Sequence, residues 1–203
     1  MQEEDLKTKK EPSQKRANKT FDLILRTAAE LLEDEGFEKL TTNKICAAAG
    51  MTPPALYRYF PNKYAILSEL ALRLMKLQNS ELVRIGSKVR EEGISRELMI
   101  DVLRQQVVVT QEHPGGVGIL KTLYATPQLA EIRLSSHNDA TQSILAILPE
   151  LSERLGERAA HLRARLLVEI GNGLIEMIAE NPDLDANVLI ADTADIFLFH
   201  LEK

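Results

Sequence analysis

The chain has 203 residues, of which 44% are hydrophobic and 27% are charged, and its formal net charge is -5. This length and mixture suffice for one or two domains with an apolar core and argue against a disordered polymer. A single cysteine, Cys46, excludes an internal disulfide framework and any zinc or iron-sulfur site held by several thiolates. The acidic balance alone argues against a nucleic-acid binder, which needs positive charge somewhere on its surface.

The first 18 residues are polar and mixed in charge. They lack the apolar stretch of a secretory signal, and no run in the chain approaches the roughly 18 apolar residues that a membrane span needs. We therefore expect a flexible tail over residues 1–18 and a cytoplasmic protein without membrane contact.

Helical periodicity runs through the rest of the sequence, and no segment alternates apolar and polar residues as a strand does. Thr41 or Thr42 can cap the second helix, and Thr52 followed by proline is a start signal for the third, with its hydroxyl as the cap. The pattern predicts about nine helices and an all-α fold. They lie at 19–35, 43–49, 53–60, 62–85, 95–112, 117–124, 127–148, 157–180 and 185–201.

Two short helices joined through residues 49–52, after a longer first helix, have the shape of a helix-turn-helix, whose last helix lies in the major groove of DNA. The local charge supports this interpretation. Between Lys39 and Lys63 there are four basic residues and no acidic one, so this basic segment carries +4 and the remainder carries -9. Thr42 and Thr52 at helix starts bring hydroxyls and backbone N–H groups toward a phosphate.

The run from Gly36 to Lys63 resembles the DNA-binding signature of the TetR family of bacterial transcriptional regulators. The resemblance spans residues 17–67 and includes paired threonines, a Gly-x-Thr turn, a Leu-Tyr-x-Tyr-Phe run and a following lysine. The remaining helices are similar to the family only in number and length. The resemblance implies that nine residues lie at or near DNA: Thr42, Lys44, Thr52, Pro53, Pro54, Tyr57, Arg58, Tyr59 and Lys63.

The resemblance also implies roles for these residues. The tyrosine hydroxyls and Lys63 would bind phosphate, while residues 52–54 and Arg58 would sit nearest the base edges. The Pro54-Ala55 pair departs from the family pattern, because it removes a backbone donor and a hydroxyl from the reading face. We therefore expect readout through DNA shape and apolar contacts, including thymine methyl groups.

Several features of the N-terminal third of the chain have both a structural and a functional interpretation. Phe60 is predicted to lie in the core and Tyr57 to reach DNA, because a buried tyrosine needs a partner for its hydroxyl. Cys46 stands among small apolar residues, which favours packing over a redox role. The basic part of the tail, from Lys7 to Lys19, is either an arm along the minor groove or a solvated segment.

The resemblance places an effector site in the bundle of helices four to seven, so residues 63–148 are the candidates for its wall. The stretch from His113 to Gly118 lacks the strand and the lysine of a phosphate loop, and we interpret it as a hinge between helices. Ten residues are predicted to contact a small apolar effector: Leu74, Leu103, Gln106, Val107, Thr110, His113, Leu120, Tyr124, Arg133 and His137.

The last two helices carry more apolar surface than one small bundle needs. Gly171 and Gly173 permit close helix approach, and two copies would form a four-helix bundle, as in the family. Such a dimer holds two heads about 34 to 36 Å apart, the spacing of successive major-groove faces. The predicted interface residues are Ile170, Leu174, Met177, Ile178, Ile196 and Phe197.

These expectations define three domains: a tail at 1–18, a helix-turn-helix domain at 19–62, and a regulatory and dimerisation domain at 63–203. The predicted function is a dimeric repressor that binds a near-palindromic double-stranded operator and leaves it when a small effector binds. The alternative is an activator, or a DNA-binding protein without an effector. The four histidines lack metal-ligand spacing and no nucleophile stands in a recognisable elbow, so we expect no enzyme, metal or cofactor.

Overall fold

The structure, a computed structural model, describes residues 6–9 and 15–202. Over these ranges it is helical and contains no strand, as the all-α prediction requires. Residues 1–5 and 10–14 of the predicted tail lie outside the described ranges. The α-helices are α1 Lys15–Glu35, α2 Thr42–Ala48, α3 Pro53–Tyr57, α4 Lys63–Glu92, α5 Arg96–Glu112, α6 Gly116–Ala125, α7 Ala130–Ile147, α8 Pro149–Leu155, α9 Glu157–Glu180 and α10 Ala186–Glu202, with a 3-10 helix at Pro127–Leu129 before α7.

The chain packs as two compact units, of which the first comprises residues 1–74 and 112–133. It contains α1 to α3, the start of α4, and α6. Phe21 of α1 packs against Phe60 with ring centroids 4.8 Å apart, and Phe60 is fully buried, which confirms its predicted core position. Ile24, Ile45 and Leu56 complete a core in which α1 supports both short helices.

Helix α6 joins this first unit because two glycines let it approach α1 closely. Gly115 has φ +68, and a Cβ placed there would lie 2.8 Å from the carbonyl oxygen of Ala29. A Cβ on Gly118 would lie 3.0 Å from Leu32. The amide of Gly115 also donates to the Glu33 carboxylate at 3.2 Å. The turn that the sequence suggested as a hinge is therefore held against α1 by packing and a hydrogen bond.

The second unit comprises residues 75–111 and 134–203. A chain of buried hydrogen bonds joins α4 to α5 inside it. The Gln78 side chain donates to the Thr110 hydroxyl at 2.8 Å, and that hydroxyl donates to the Gln106 carbonyl at 2.9 Å. The Gln106 side chain returns a bond to the Gln78 carbonyl at 3.0 Å. These hydrogen bonds offset the free-energy cost of removing the buried polar groups from water.

The structure differs from the predicted elements in several places. Helix α1 begins at Lys15, inside the tail that was predicted at 1–18. An additional helix, α8, begins at Pro149, because proline suits the first position of a helix as well as it ends the preceding one. Helix α4 continues beyond Ile85 to Glu92, since its last turns are polar but contain no helix breaker before Gly93. The division at residue 63 also differs from the packing, because α6 joins the first unit. Among the described residues, no helix has the length and apolarity to cross a membrane.

Candidate nucleic-acid interface and effector cavity

Helix α2 is started by a hydroxyl cap. The Thr41 Oγ1 accepts a hydrogen bond from the backbone N–H of Lys44 at 3.2 Å, so Thr41 is the N-cap and Thr42 is the first helical residue. Gly50 follows the helix with φ +63, a conformation that glycine adopts without strain. These signals turn the chain sharply between α2 and α3.

Helix α3 is the shortest of the described α-helices and begins with two prolines. Thr52 occupies its N-cap position, but the hydroxyl makes no capping bond, contrary to the expectation from the sequence. The reason is that Pro53 and Pro54 have no N–H, and the N–H of Ala55 already donates to the Thr52 carbonyl at 3.0 Å. The Thr52 side chain is exposed and remains available to another partner.

Three of the residues that the resemblance assigned to DNA line one shallow depression. It is bordered by Thr42, Tyr57 and Lys63. The Thr42 hydroxyl and the Tyr57 hydroxyl lie 3.0 Å apart, within hydrogen-bond distance. The Lys63 ammonium donates to the Phe37 carbonyl at 3.3 Å and lies 4.1 Å above the Phe37 ring. Two hydroxyls and a cation around one depression are suited to a phosphate group.

Tyr57 and Tyr59 differ in their surroundings. Tyr57 is 40% exposed, as its predicted role requires, whereas Tyr59 is only 6% exposed and packs edge-on against Phe21 with centroids 5.9 Å apart. Tyr59 is therefore a core residue, contrary to the expectation that both tyrosine side chains face DNA. Its carbonyl accepts a bond from the backbone N–H of Lys9 at 2.7 Å, which places the described part of the tail beside α3.

Lys44 forms an ion pair with Glu35 at the end of α1, and both side chains are partly exposed. The pair offsets one of the four positive charges of the basic segment. A lysine held in this way must leave its carboxylate partner, or share it, before it can bind a phosphate.

We expect Glu35→Gln to raise operator affinity, because it frees Lys44 and removes a negative charge next to the basic segment. The slope of log K against log salt should become steeper by about one unit, as one more phosphate is neutralised. Fluorescence anisotropy over a series of salt concentrations measures both. Glu30→Gln is the matched control, because it removes the same charge from α1 where Glu30 pairs with Arg26. If the two variants changed affinity and salt slope equally, the gain would not come from binding of a phosphate by Lys44.

Cys46 is buried in α2. Burial raises the pKa of its thiol above the ordinary value. The thiolate is the reactive form of cysteine, so this environment favours the packing interpretation over a redox role.

A cavity of about 70 Å³ lies in the second unit, between α4, α5, α7, α9 and α10. Three predicted effector residues line it, namely Leu103, Gln106 and His137. Val107 and Thr110 are buried in the same unit but lie outside its wall. The other five predicted residues belong to the first unit and are not brought to this cavity: Leu74, His113, Leu120, Tyr124 and Arg133.

The sequence restricted the wall of the effector site to residues 63–148, and the structure adds α9 and α10. Asn172 and Ile175 of α9 and Phe197 of α10 line the cavity. Among the residues assigned to the site, Arg133 and Tyr124 contact each other instead, with the guanidinium carbon 4.9 Å from the ring centre.

The apolar surface of α9 and α10 includes an outer stripe of exposed side chains. Of the predicted interface residues, Met177 and Ile196 are exposed and Ile170 is half-buried. Leu174, Ile178 and Phe197 are buried within the unit, which corrects their assignment to the interface. Four other apolar side chains of these two helices are exposed: Leu162, Leu166, Val188 and Phe199. We call the exposed set, with Met177 and Ile196, the outer stripe.

Comparison with known proteins connects this geometry to a family. Residues 24–70 match the family model of bacterial regulatory proteins, tetR family. The class C tetracycline repressor of Escherichia coli is 42% identical over 57 residues, which are 28% of this chain and 26% of that repressor. The chain thus spans about a quarter of the length of this relative. The nucleoid occlusion factor SlmA of Shewanella pealeana is 28% identical over 158 residues, 75% of this chain and 79% of that protein.

Solved structures share the fold over most of the chain. SmeT, the repressor of the Stenotrophomonas maltophilia multidrug efflux pump SmeDEF, aligns with a TM-score of 0.68 at 21% identity and covers 88% of each chain. A complex of SmeT with triclosan aligns equally well, with a TM-score of 0.68 at 23% identity over 89% of this chain and 90% of that one. Residues 24–70 therefore match the TetR family of bacterial regulatory proteins, and the chain as a whole shares its fold with solved TetR-family regulators.

Proposed function

We propose that the protein is a cytoplasmic, homodimeric repressor that binds a near-palindromic double-stranded operator and is released by a small apolar effector. The observation that carries the proposal is the depression bordered by Thr42, Tyr57 and Lys63. It lies in a segment of charge +4 within a chain of charge -5. The acidic remainder repels DNA, so the basic segment is the surface that phosphates approach.

The outer stripe supports the dimer. Along α9 its members recur at intervals close to the helical repeat, at Leu162, Leu166 and, beyond the half-buried Ile170, Met177. Gly173 lies on the same face, and apart from its own helix backbone and chain neighbours no described atom lies within 4 Å of an added Cβ, so another helix can approach there. A contiguous exposed apolar face of this kind marks a protein interface. A second copy of the chain supplies the same face for an isologous contact.

The cavity in the second unit supports an effector. Its wall is mainly apolar with a few polar groups, the usual make-up of a small-molecule site. Two relatives point the same way, since one is named a tetracycline repressor and the other is solved with triclosan. An effector that binds the DNA-free state better needs only about 1 to 3 kcal/mol of coupling to change operator occupancy usefully.

Binding to the DNA upstream of the protein's own gene tests the proposal. We expect a salt-sensitive complex on one fragment that survives competition by a shuffled fragment of the same length and composition. A complex that the shuffled fragment displaces equally well would overturn operator recognition.

We expect Lys63→Ala to weaken binding on all sequences and to lower the salt slope by about one unit, because one phosphate contact is lost. Lys88→Ala removes the same charge from an exposed position of α4 outside the basic segment. This control should leave the slope unchanged. If both variants lower it equally, net charge and not a local contact governs binding.

A second candidate function is DNA binding without a small-molecule effector. The similarity to SlmA over three quarters of the chain favours it. Titration of apolar compounds against the operator complex separates the two functions. An effector-controlled repressor releases DNA in the presence of a compound that also raises the melting temperature of the free protein, whereas the second candidate does neither.

A further inference from the structure

The second unit contains two neighbouring cavities of different polarity. The cavity described above measures about 70 Å³, and a second measures about 80 Å³. Every side chain in the wall of the second is apolar. Five residues belong to both walls: Leu82, Val102, Ile144, Leu167 and Phe197. Only apolar side chains therefore separate a chamber with polar groups from one without any.

The polar chamber is lined by amide side chains whose nitrogens already have partners. Gln106 donates to the Gln78 carbonyl at 3.0 Å, and Asn172 donates to the Val168 carbonyl at 2.9 Å. Asn79 donates to the Ser136 hydroxyl at 3.2 Å. The amides of Gln106 and Asn172 each have an oxygen that accepts hydrogen bonds and a second hydrogen that donates, so the chamber suits a guest with a hydroxyl group, which can do both.

The walls of both chambers contain no lysine, arginine, aspartate or glutamate. The one titratable side chain among them is His137, whose Nδ1 lies 3.1 Å from the Glu169 carboxylate. A carboxylate only accepts hydrogen bonds, so Nδ1 carries the hydrogen. Burial acts to raise the pKa of Glu169, but hydrogen bonds from His137 and Arg165 outweigh it and the pKa is lowered.

Glu169 is consequently ionised at neutral pH, where it pairs with Arg165 and accepts a hydrogen bond from His137. An anionic guest in the polar chamber would lie beside walls with no lysine or arginine to compensate it, and an uncompensated buried charge is costly. The same holds for a cationic guest, since no acidic side chain lines the chambers.

We propose that the effector is an uncharged amphipathic molecule with a hydroxyl group at one end and a hydrocarbon body at the other. The hydroxyl forms hydrogen bonds with the amides of the polar chamber, and the hydrocarbon fills the apolar chamber. Each chamber has about half of the roughly 150 Å³ that admits benzene. The guest thus joins the two by displacing shared side chains such as Phe197. This inference rests on the proposed control by an effector and adds its chemical class.

Three probes of equal length test the class: 4-propylphenol, propylbenzene and 4-propylbenzoate, each titrated into the full-length protein by calorimetry at pH 8. We expect 4-propylphenol to bind at least 10-fold more tightly than propylbenzene, and the benzoate to bind most weakly. Tightest binding of the hydrocarbon or the benzoate, or binding of none of the three, overturns the proposal.

Two variants locate the site. Asn172→Leu is nearly isosteric at a half-buried position, and it should reduce the preference for phenol over hydrocarbon to about 3-fold or less by removing a hydrogen-bonding amide. Val102→Phe fills the shared wall and should abolish binding of all three probes. A preference unchanged in Asn172→Leu would overturn the assignment of the polar chamber, even if Val102→Phe fails to fold. Operator binding without a probe, measured on the same preparation, reports separately on the proposed function.

Discussion

We expect Leu166→Glu to convert the protein into a monomer and to lower operator affinity at least 100-fold. Leu166 is 45% exposed in the outer stripe. At a two-fold interface the substitution places two carboxylates in an apolar contact, and an uncompensated buried charge costs about 3 to 5 kcal/mol. Since 1.4 kcal/mol is a factor of ten, dimer association falls by more than two orders of magnitude. A lone head also loses the gain from binding a second half-site intramolecularly.

Sedimentation velocity at micromolar concentration and anisotropy on the operator measure the two effects. Val83→Glu is the matched control, because Val83 is an exposed apolar residue of α4, 60% accessible, outside the outer stripe. The control should remain dimeric and bind normally. A dimeric Leu166→Glu variant would show that the chain associates through another surface.

The second large effect concerns stability. We expect Gly115→Ala to destabilise the fold by about 3 kcal/mol, of which 1 to 2 kcal/mol come from a left-handed backbone and the rest from overpacking. The overpacking arises because the new Cβ would lie 2.8 Å from a backbone oxygen of Ala29, which cannot move without shifting α1. Urea unfolding at a fixed protein concentration measures the loss.

Gly93→Ala separates the two contributions. Gly93 has φ +79, but no atom lies within 4 Å of an added Cβ. We expect it to cost only the backbone share, about 1 kcal/mol. Equal losses in the two variants would mean that the contact between α6 and α1 adds nothing to stability.

Local signals were enough to predict the helix-turn-helix. The threonine before α2, Gly50 and the two prolines of α3 act within a few residues of where they stand, and such signals survive in any tertiary context. The charge pattern is equally local. Thr52 failed as a predicted cap for a reason also visible in the sequence, since the prolines after it have no N–H to donate.

The residues of the interface and of the cavity were harder to predict, because they depend on which face of a helix packs against which neighbouring helix. Helices α9 and α10 are apolar on more than one face, so periodicity did not separate Leu174 and Phe197, which are buried, from Leu166 and Phe199, which are exposed. The position of one helix against the other decides this. The wall of the cavity likewise includes Asn172, which lies 80 residues beyond the end of α4 at Glu92, and no pattern along the chain brings the two together.

The outer stripe has a consequence for how the protein persists in a cell. A dissociated protomer exposes its apolar side chains to water, where they are open to proteases and to aggregation. The proposed dimer would remove this hazard by mass action, so we expect resistance to degradation to rise with protein concentration. The cellular half-life of such a regulator therefore depends on its concentration. The monomer, which prevails at low concentration, is degraded faster than the dimer, which prevails at high concentration.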